Sequence, residues 1–222
     1  MRPGSGRATV SPGGAAAREG FAMKLYYVPK TRSSRPRWVL EELGVPYELV
    51  RLDPARGETR TPEHLARQPL GHVPVLDDGG HLIFESSAIC LHLAERYPER
   101  RLLPPPGSVE RGIVYQWLFY AMTELEPPLV ALSAESRKPE GERDAAVAGD
   151  ARARFRRAAA ALEPILANRP YLLGQDFTVA DVVVGAVLAW AKALRALEGI
   201  PATEAYLARL RERPAWRRAT AD

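Results

Sequence analysis

The distribution of apolar and polar positions divides the chain into unlike stretches. Residues 1–22 show no hydrophobic period and are rich in Gly, Ala, Ser and Pro, so they read as a disordered leader or an upstream start, with Met23 as an alternative initiator. From Lys24 the pattern becomes regular. Residues 24–28 form a short apolar strand, 33–43 an amphipathic helix closed by Gly44 and Pro46, and 47–52 alternate as a second strand. An opening this compact predicts two parallel strands joined by a right-handed crossover. Thr61, followed by Pro62, starts a short helix as its N-cap. Residues 73–76 and 81–84 then flank Asp77-Asp78-Gly79-Gly80, a hairpin signal, and 86–97 return to a helical period.

A proline-rich stretch at 98–107, with Pro104-Pro105-Pro106, is a stiff segment that neither helix nor sheet crosses. Everything after it reads as helix: 109–134, kinked or ended at Pro127-Pro128; 143–167, bent at Pro164; 179–197; and 203–211. The expected organisation is a leader at 1–22, a mixed βαβαββα domain at 23–98, a linker at 99–107 and an all-helical domain at 108–222.

Composition narrows the class. With 222 residues and 46% apolar content the chain can bury a substantial core. No apolar run approaches the roughly 20 residues that span a bilayer. Residues 179–191 are interrupted by Asp181, which suits a buried helix better than a membrane. Half of the net charge of +4 comes from Arg2, Arg7 and Arg18 against Glu19, so the remaining balance lacks the positive field that nucleic-acid binding needs. Cys90 is the single cysteine, which excludes an internal disulfide or a Cys-x-x-Cys pair and accords with a reducing compartment; its helical apolar setting makes it a core thiol. His64, His72, His81 and His92 show no metal-ligand spacing, and no metal site is expected.

Candidate chemistry concentrates in two short motifs. In Val73-Pro74 a proline opens an apolar strand, where a cis bond would turn the preceding backbone outward. Glu85-Ser86-Ser87 ends the next strand and opens a helix with an acid and two hydroxyls, a start suited to an anion. A third motif, Thr178-x-x-Asp181, is a capping box, which makes Asp181 a folding residue rather than a catalytic one.

This element order is that of the thioredoxin fold, and with an all-helical domain attached the chain resembles the glutathione S-transferases over about residues 23–218. Lys24-Leu25-Tyr26-Tyr27 leading through Arg35-Pro36-Arg37-Trp38 to Gly44-Val45-Pro46-Tyr47 is similar to the first strand and helix of bacterial members. Val73-Pro74 with Glu85-Ser86, and Phe177-Thr178-Val179-Ala180-Asp181, are the other matches. The resemblance implies that Val73, ahead of Pro74, pairs with the cysteinyl backbone of glutathione, that Ser86 takes the γ-glutamyl carboxylate, that Glu85 meets the neighbouring ammonium, and that His72 meets the glycyl carboxylate. The other reading makes Glu85 and Ser86 helix caps and His72 a surface loop residue.

Activation must lower a thiol pKa of about 8.5 toward neutrality, at about 1.4 kcal/mol per unit. A helix N-terminus contributes about 0.3–1 kcal/mol and a charge-assisted hydrogen bond about 1.5–3 kcal/mol, so a donor is needed near the first helix. The family's serine position falls at Lys30 and its cysteine position at Arg32, so Thr31 and Ser33 are the candidate hydroxyls, with capping as their other role. Tyr115, Phe119 and Met122 are the candidate wall for a second substrate, beside a buried stripe of Trp117, Leu118, Ala121 and Leu125. The expectation is a cytoplasmic, homodimeric transferase of detoxification that directs glutathione, as co-substrate, at a small and largely apolar electrophile. The alternatives are a glutathione-dependent isomerase or peroxidase, or a non-enzymatic binding or interaction module.

Overall fold

A computed structural model describes residues 23–222; the leader expected at 1–22 lies outside the described residues. Met23–Tyr27 (β1) is a central strand, with Leu25 fully buried. Ser34–Leu43 (α1) follows, its buried face carrying Trp38, Val39, Leu40 and Leu43, and it stops at Gly44, whose φ of 65° suits the left-handed cap. Tyr47–Arg51 (β2) returns parallel to β1, with Leu49 opposite Leu25.

Two short 3₁₀ turns lead into Pro62–Arg67 (α2), where the Thr61 hydroxyl accepts from His64 N–H at 3.2 Å. Val75–Asp78 (β3) runs antiparallel to β1, and His81–Phe84 (β4) antiparallel to β3. The sheet order is β2-β1-β3-β4. β3 begins at Val75 rather than Val73 because Pro74 has no N–H for the ladder. Ser86–Arg96 (α3) closes a thioredoxin-like domain with the expected order of elements.

The remainder is helical: Val109–Tyr120 (α4), Glu126–Arg137 (α5), Ala145–Ala160 (α6), Glu163–Leu166 (α7), Val179–Ala193 (α8), Pro201–Glu212 (α9) and Pro214–Ala219 (α10). Three details differ from the sequence pattern. The break in the first long helix is a π-turn at Ala121–Leu125, upstream of Pro127-Pro128. The prolines sit in the first turn of α5, where absent donors are tolerated, so the irregularity is displaced toward the N-terminus. Likewise 143–167 divides into α6 and α7 ahead of Pro164, and α10, a short segment, gives no periodic signal of its own.

The core is continuous across both halves. Val179, Ala180, Val182, Val183 and Val184 are fully buried, so the start of α8 is a helix apolar on every side. Gly185 makes this packing possible: a Cβ there would lie 2.5 Å from Leu210 Cδ1 and 3.4 Å from the Trp38 ring. Trp216 of α10 meets Trp38 edge-on at 4.7 Å, tying the last helix to the first. Asp181 accepts from Leu172 N–H (2.9 Å), Thr178 N–H (2.8 Å) and Tyr206 OH (2.8 Å), and the capping box is closed. Among the described residues no helix is long and apolar enough to cross a membrane.

Candidate functional site

The first cavity, of about 530 Å³, is built around a bent loop ahead of β3. Gly71 has φ 64°, and a Cβ there would stand 2.4 Å from Thr59 O, so only glycine follows this path. Gln68 Oε1 accepts from Leu70 N–H (2.7 Å) and His72 N–H (2.9 Å), while His64 Nε2 lies 3.0 Å from His72 O. These bonds fix the loop from inside and leave Val73 at the cavity. Its peptide to Pro74 is cis, and among the described residues its own N–H and C=O carry no hydrogen bond.

Facing that edge, Glu85 caps α3 with φ 69° and ψ 110°, a strained conformation for a residue with a side chain. Its exposed carboxylate makes no capping bond, so the first N–H groups of α3 are open toward the cavity. Ser86 is 5% exposed, and its Oγ accepts from Arg35 Nη1 at 3.0 Å. Arg35 is itself buried and ion-paired with Glu126, whose other oxygen holds Arg32. One carboxylate thus orders two guanidinium groups. Glu126 reaches them from the end of the π-turn, where its N–H bonds to Ala121 O.

The loop between β1 and α1 separates this cavity from a second one of about 490 Å³. Val28, Thr31, Arg32 and Arg35 border both. The Thr31 hydroxyl is 2.7 Å from Val28 O and 3.0 Å from Ser33 Oγ. A hydroxyl has one proton, so with Thr31 donating across the shorter contact, Ser33 supplies the proton of the longer one. Ser33 is 1% exposed and borders neither cavity. Across the second cavity, α8 presents Ala186, Ala189, Trp190 and Ala193, and α10 presents Trp216.

Comparison with known proteins decides the family. Residues 21–95 match the family model of the glutathione S-transferase N-terminal domain and residues 114–214 that of the C-terminal domain. Glutathione S-transferase GstA of Escherichia coli O157:H7 is 33% identical over 199 residues, covering 86% of this chain and 94% of that protein. The chain belongs to the glutathione S-transferase family. A glutathione transferase from Methylococcus capsulatus superposes with a TM-score of 0.80 at 33% identity, over 90% of this chain and 98% of that one. A family member from Pseudomonas fluorescens, solved with two glutathione molecules bound, gives a TM-score of 0.82 at 25% identity, over 92% and 94%.

Within this transferase the structure brings His72, Val73, Pro74, Glu85 and Ser86 to one cavity, and Thr31 to its border. It does not gather Tyr115, Phe119 and Met122 into a second-substrate wall. The Tyr115 hydroxyl accepts from Arg111 Nε at 2.7 Å, Phe119 is 69% exposed, and neither lines either cavity; Met122 lies in the first cavity, its sulfur 3.6 Å from Arg35 Nη1. The cause is the rotation of α4: Val114, Trp117 and Leu118 take the core side, which turns Phe119 outward. The transferase's second cavity is opened instead by small residues on α8, whose positions 186, 189, 190 and 193 share one helical face. That spacing was the available signal. Arg35 and Glu126 had none, because their pairing spans 91 residues. Cys90 is fully buried, and burial drives its thiol far above the ordinary range, so it is no nucleophile. Among the described residues no cluster of three or more His, Cys, Asp or Glu side chains is arranged to hold a metal.

Proposed function

We propose that the protein joins the thiol of glutathione to a small electrophile, with the tripeptide in the first cavity and the electrophile in the second. The observation that carries this reading is the shared wall: a thiol seated beside Thr31 in one cavity faces whatever occupies the other. The cysteinyl backbone of glutathione pairs with the free N–H and C=O of Val73, as an added strand does. The γ-glutamyl carboxylate takes the open N–H groups of α3 and the Ser86 hydroxyl. Because Arg35 donates to the Ser86 lone pair, the Ser86 proton is free for the ligand and is polarised toward it. Glu85 meets the ammonium group, and His72, exposed on the rim, meets the glycyl carboxylate.

Thr31, not Ser33, donates to the sulfur, and the Arg32 guanidinium adds positive charge at the same wall. The thiol proton leaves to solvent, and the thiolate then adds to the electrophile or displaces its leaving group. The relative solved with two glutathione molecules supports the co-substrate. The division between the glutathione-binding and helical units falls at 99–107. Exposed Leu82 and Phe84 on edge strand β4, with Val109 and Phe119 on α4, supply apolar surface for a homodimer. A cytoplasmic setting suits a chain whose single cysteine is a free thiol buried in the core, and a detoxifying role follows from the proposed reaction.

Calorimetric titration of Ser86→Ala with glutathione tests the reading. Losing the carboxylate donor weakens binding by about tenfold, which is about 1.4 kcal/mol, with helix content by circular dichroism unchanged. Affinity equal to that of the parent protein removes Ser86 from the site.

A further inference from the structure

The second cavity is not a plain apolar cleft. Ala186, Ala189, Trp190 and Trp216 line its apolar side, yet five basic residues, Lys30, Arg32, Arg35, Arg37 and Arg137, also border it, against a single acid, Asp222. Most of these charges are answered: Arg32 and Arg35 share Glu126, and Arg37 pairs with Asp222. The second oxygen of Asp222 accepts from Tyr27 OH at 2.7 Å, and its ion pair goes to Arg37 rather than to Lys30 or Arg137. Among the described residues Lys30 and Arg137 form no ion pair. Arg137 donates from Nε to Ser133 O at 3.1 Å, a contact that leaves its charge uncompensated. Lys30 comes from the loop after β1 and Arg137 from the end of α5, so the two free cations reach one cavity from the two domains. At the aromatic wall the Arg32 guanidinium, although paired with Glu126, lies 5.4 Å from the centre of the Trp190 ring.

Lys30 and Arg137 are exposed at the cavity's border, so a neutral apolar substrate gains nothing from their charge. An anionic one gains charge-assisted bonds to them. We infer that the second substrate is a flat, apolar electrophile that carries a carboxylate or a comparable anion, its ring beside Trp190 and its anion met by Lys30 and Arg137. The inference rests on the assignment of this cavity to the electrophile and adds its chemical class. Selection then comes from the attraction of the two cations for the anion, which the neutral isostere lacks.

The probes are two conjugates of the reaction product type, S-(4-carboxy-2-nitrophenyl)glutathione and its methyl ester, which differ in one charge and require no turnover. Calorimetric titration at low ionic strength is expected to show the acid binding about tenfold more tightly than the ester. Lys30→Gln and Arg137→Gln are each expected to shrink that acid-to-ester ratio by about threefold to fivefold, the worth of a partly exposed ion pair. Added salt narrows the ratio in the parent protein as well. Equal affinity for acid and ester in the parent, or a ratio untouched by both substitutions, overturns the inference while glutathione binding stays intact. If glutathione and both conjugates all fail to bind, the assignment of the two cavities fails first and takes the inference with it.

Discussion

Replacing Thr31 by Val keeps a β-branched side chain at the wall between the cavities and deletes its hydroxyl. In the free protein that hydroxyl spans 2.7 Å to Val28 O and 3.0 Å to Ser33 Oγ, and under the proposed function it is the group that turns to the sulfur once glutathione is seated. A hydrogen bond to a charged acceptor contributes about 1.5–3 kcal/mol, so at about 1.4 kcal/mol per unit its loss raises the pKa of the bound thiol by about 1 to 2 units. The direction follows from the charge: a donor stabilises the thiolate over the thiol, and deleting it favours the thiol. The assay is a pH titration of thiolate ultraviolet absorbance in the glutathione complex, paired with the pH profile of kcat/KM for the electrophile at saturating glutathione, whose lower limb moves to higher pH by the same amount. Thr31→Ser restores the parent profile. Ser33→Ala, buried behind Thr31 and outside both cavities, shifts it less. A Thr31→Val protein with the parent pKa, beside a Ser33→Ala protein with a raised one, would refute the assignment and make Ser33 the donor.

Glu126→Ala leaves Arg35, whose side chain is 3% exposed, without its carboxylate and is expected to cost about 3–5 kcal/mol in urea denaturation, whereas replacing Arg35 and Glu126 together by Met costs much less. Comparable losses from the single and double changes would contradict the idea of a stranded charge. Cys90 is fully buried with its thiol driven up by desolvation, so an aromatic disulfide reagent at mildly alkaline pH should label it only in denaturant; prompt labelling of the native protein would count against that burial. Burial pushes the Asp78 carboxyl up, but hydrogen bonds from His92 (2.8 Å) and Arg96 outweigh it and hold Asp78 below the usual range. With a depressed folded pKa, the stabilisation is present above the ordinary Asp value of about 3.9 and is lost as pH falls through the lower, folded one. Asp78→Asn is therefore expected to flatten the acid limb of stability against pH, and superimposable limbs would rule the linkage out.

What the sequence makes legible is what local chemistry decides. The switch from period two to a helical period, Gly44 as a left-handed cap, Thr61 as an N-cap and the Asp77–Gly80 turn each act within a few residues, and the thioredoxin-like half of the fold follows from them. Val73-Pro74 and Glu85-Ser86 are short motifs of the same kind, and the loop and helix start that they form face each other across one cavity. Glu126 belongs to another order of information. It reaches Arg35 from the end of a π-turn, just ahead of prolines that the pattern marks merely as a break. The second cavity inverts the usual signal altogether. Hydrophobic periodicity reports where side chains are large, which draws attention to the aromatic face of α4, but Phe119 there points to solvent. Space for a ligand arises where side chains are small and two elements are held apart, and Ala186, Ala189 and Ala193 meet that condition beside a single large residue, Trp190. The place to look for ligand cavities in chains of this fold is therefore the small residues on one face of a helix whose other faces are fully buried, and the charged loop that the domain packing brings across from them.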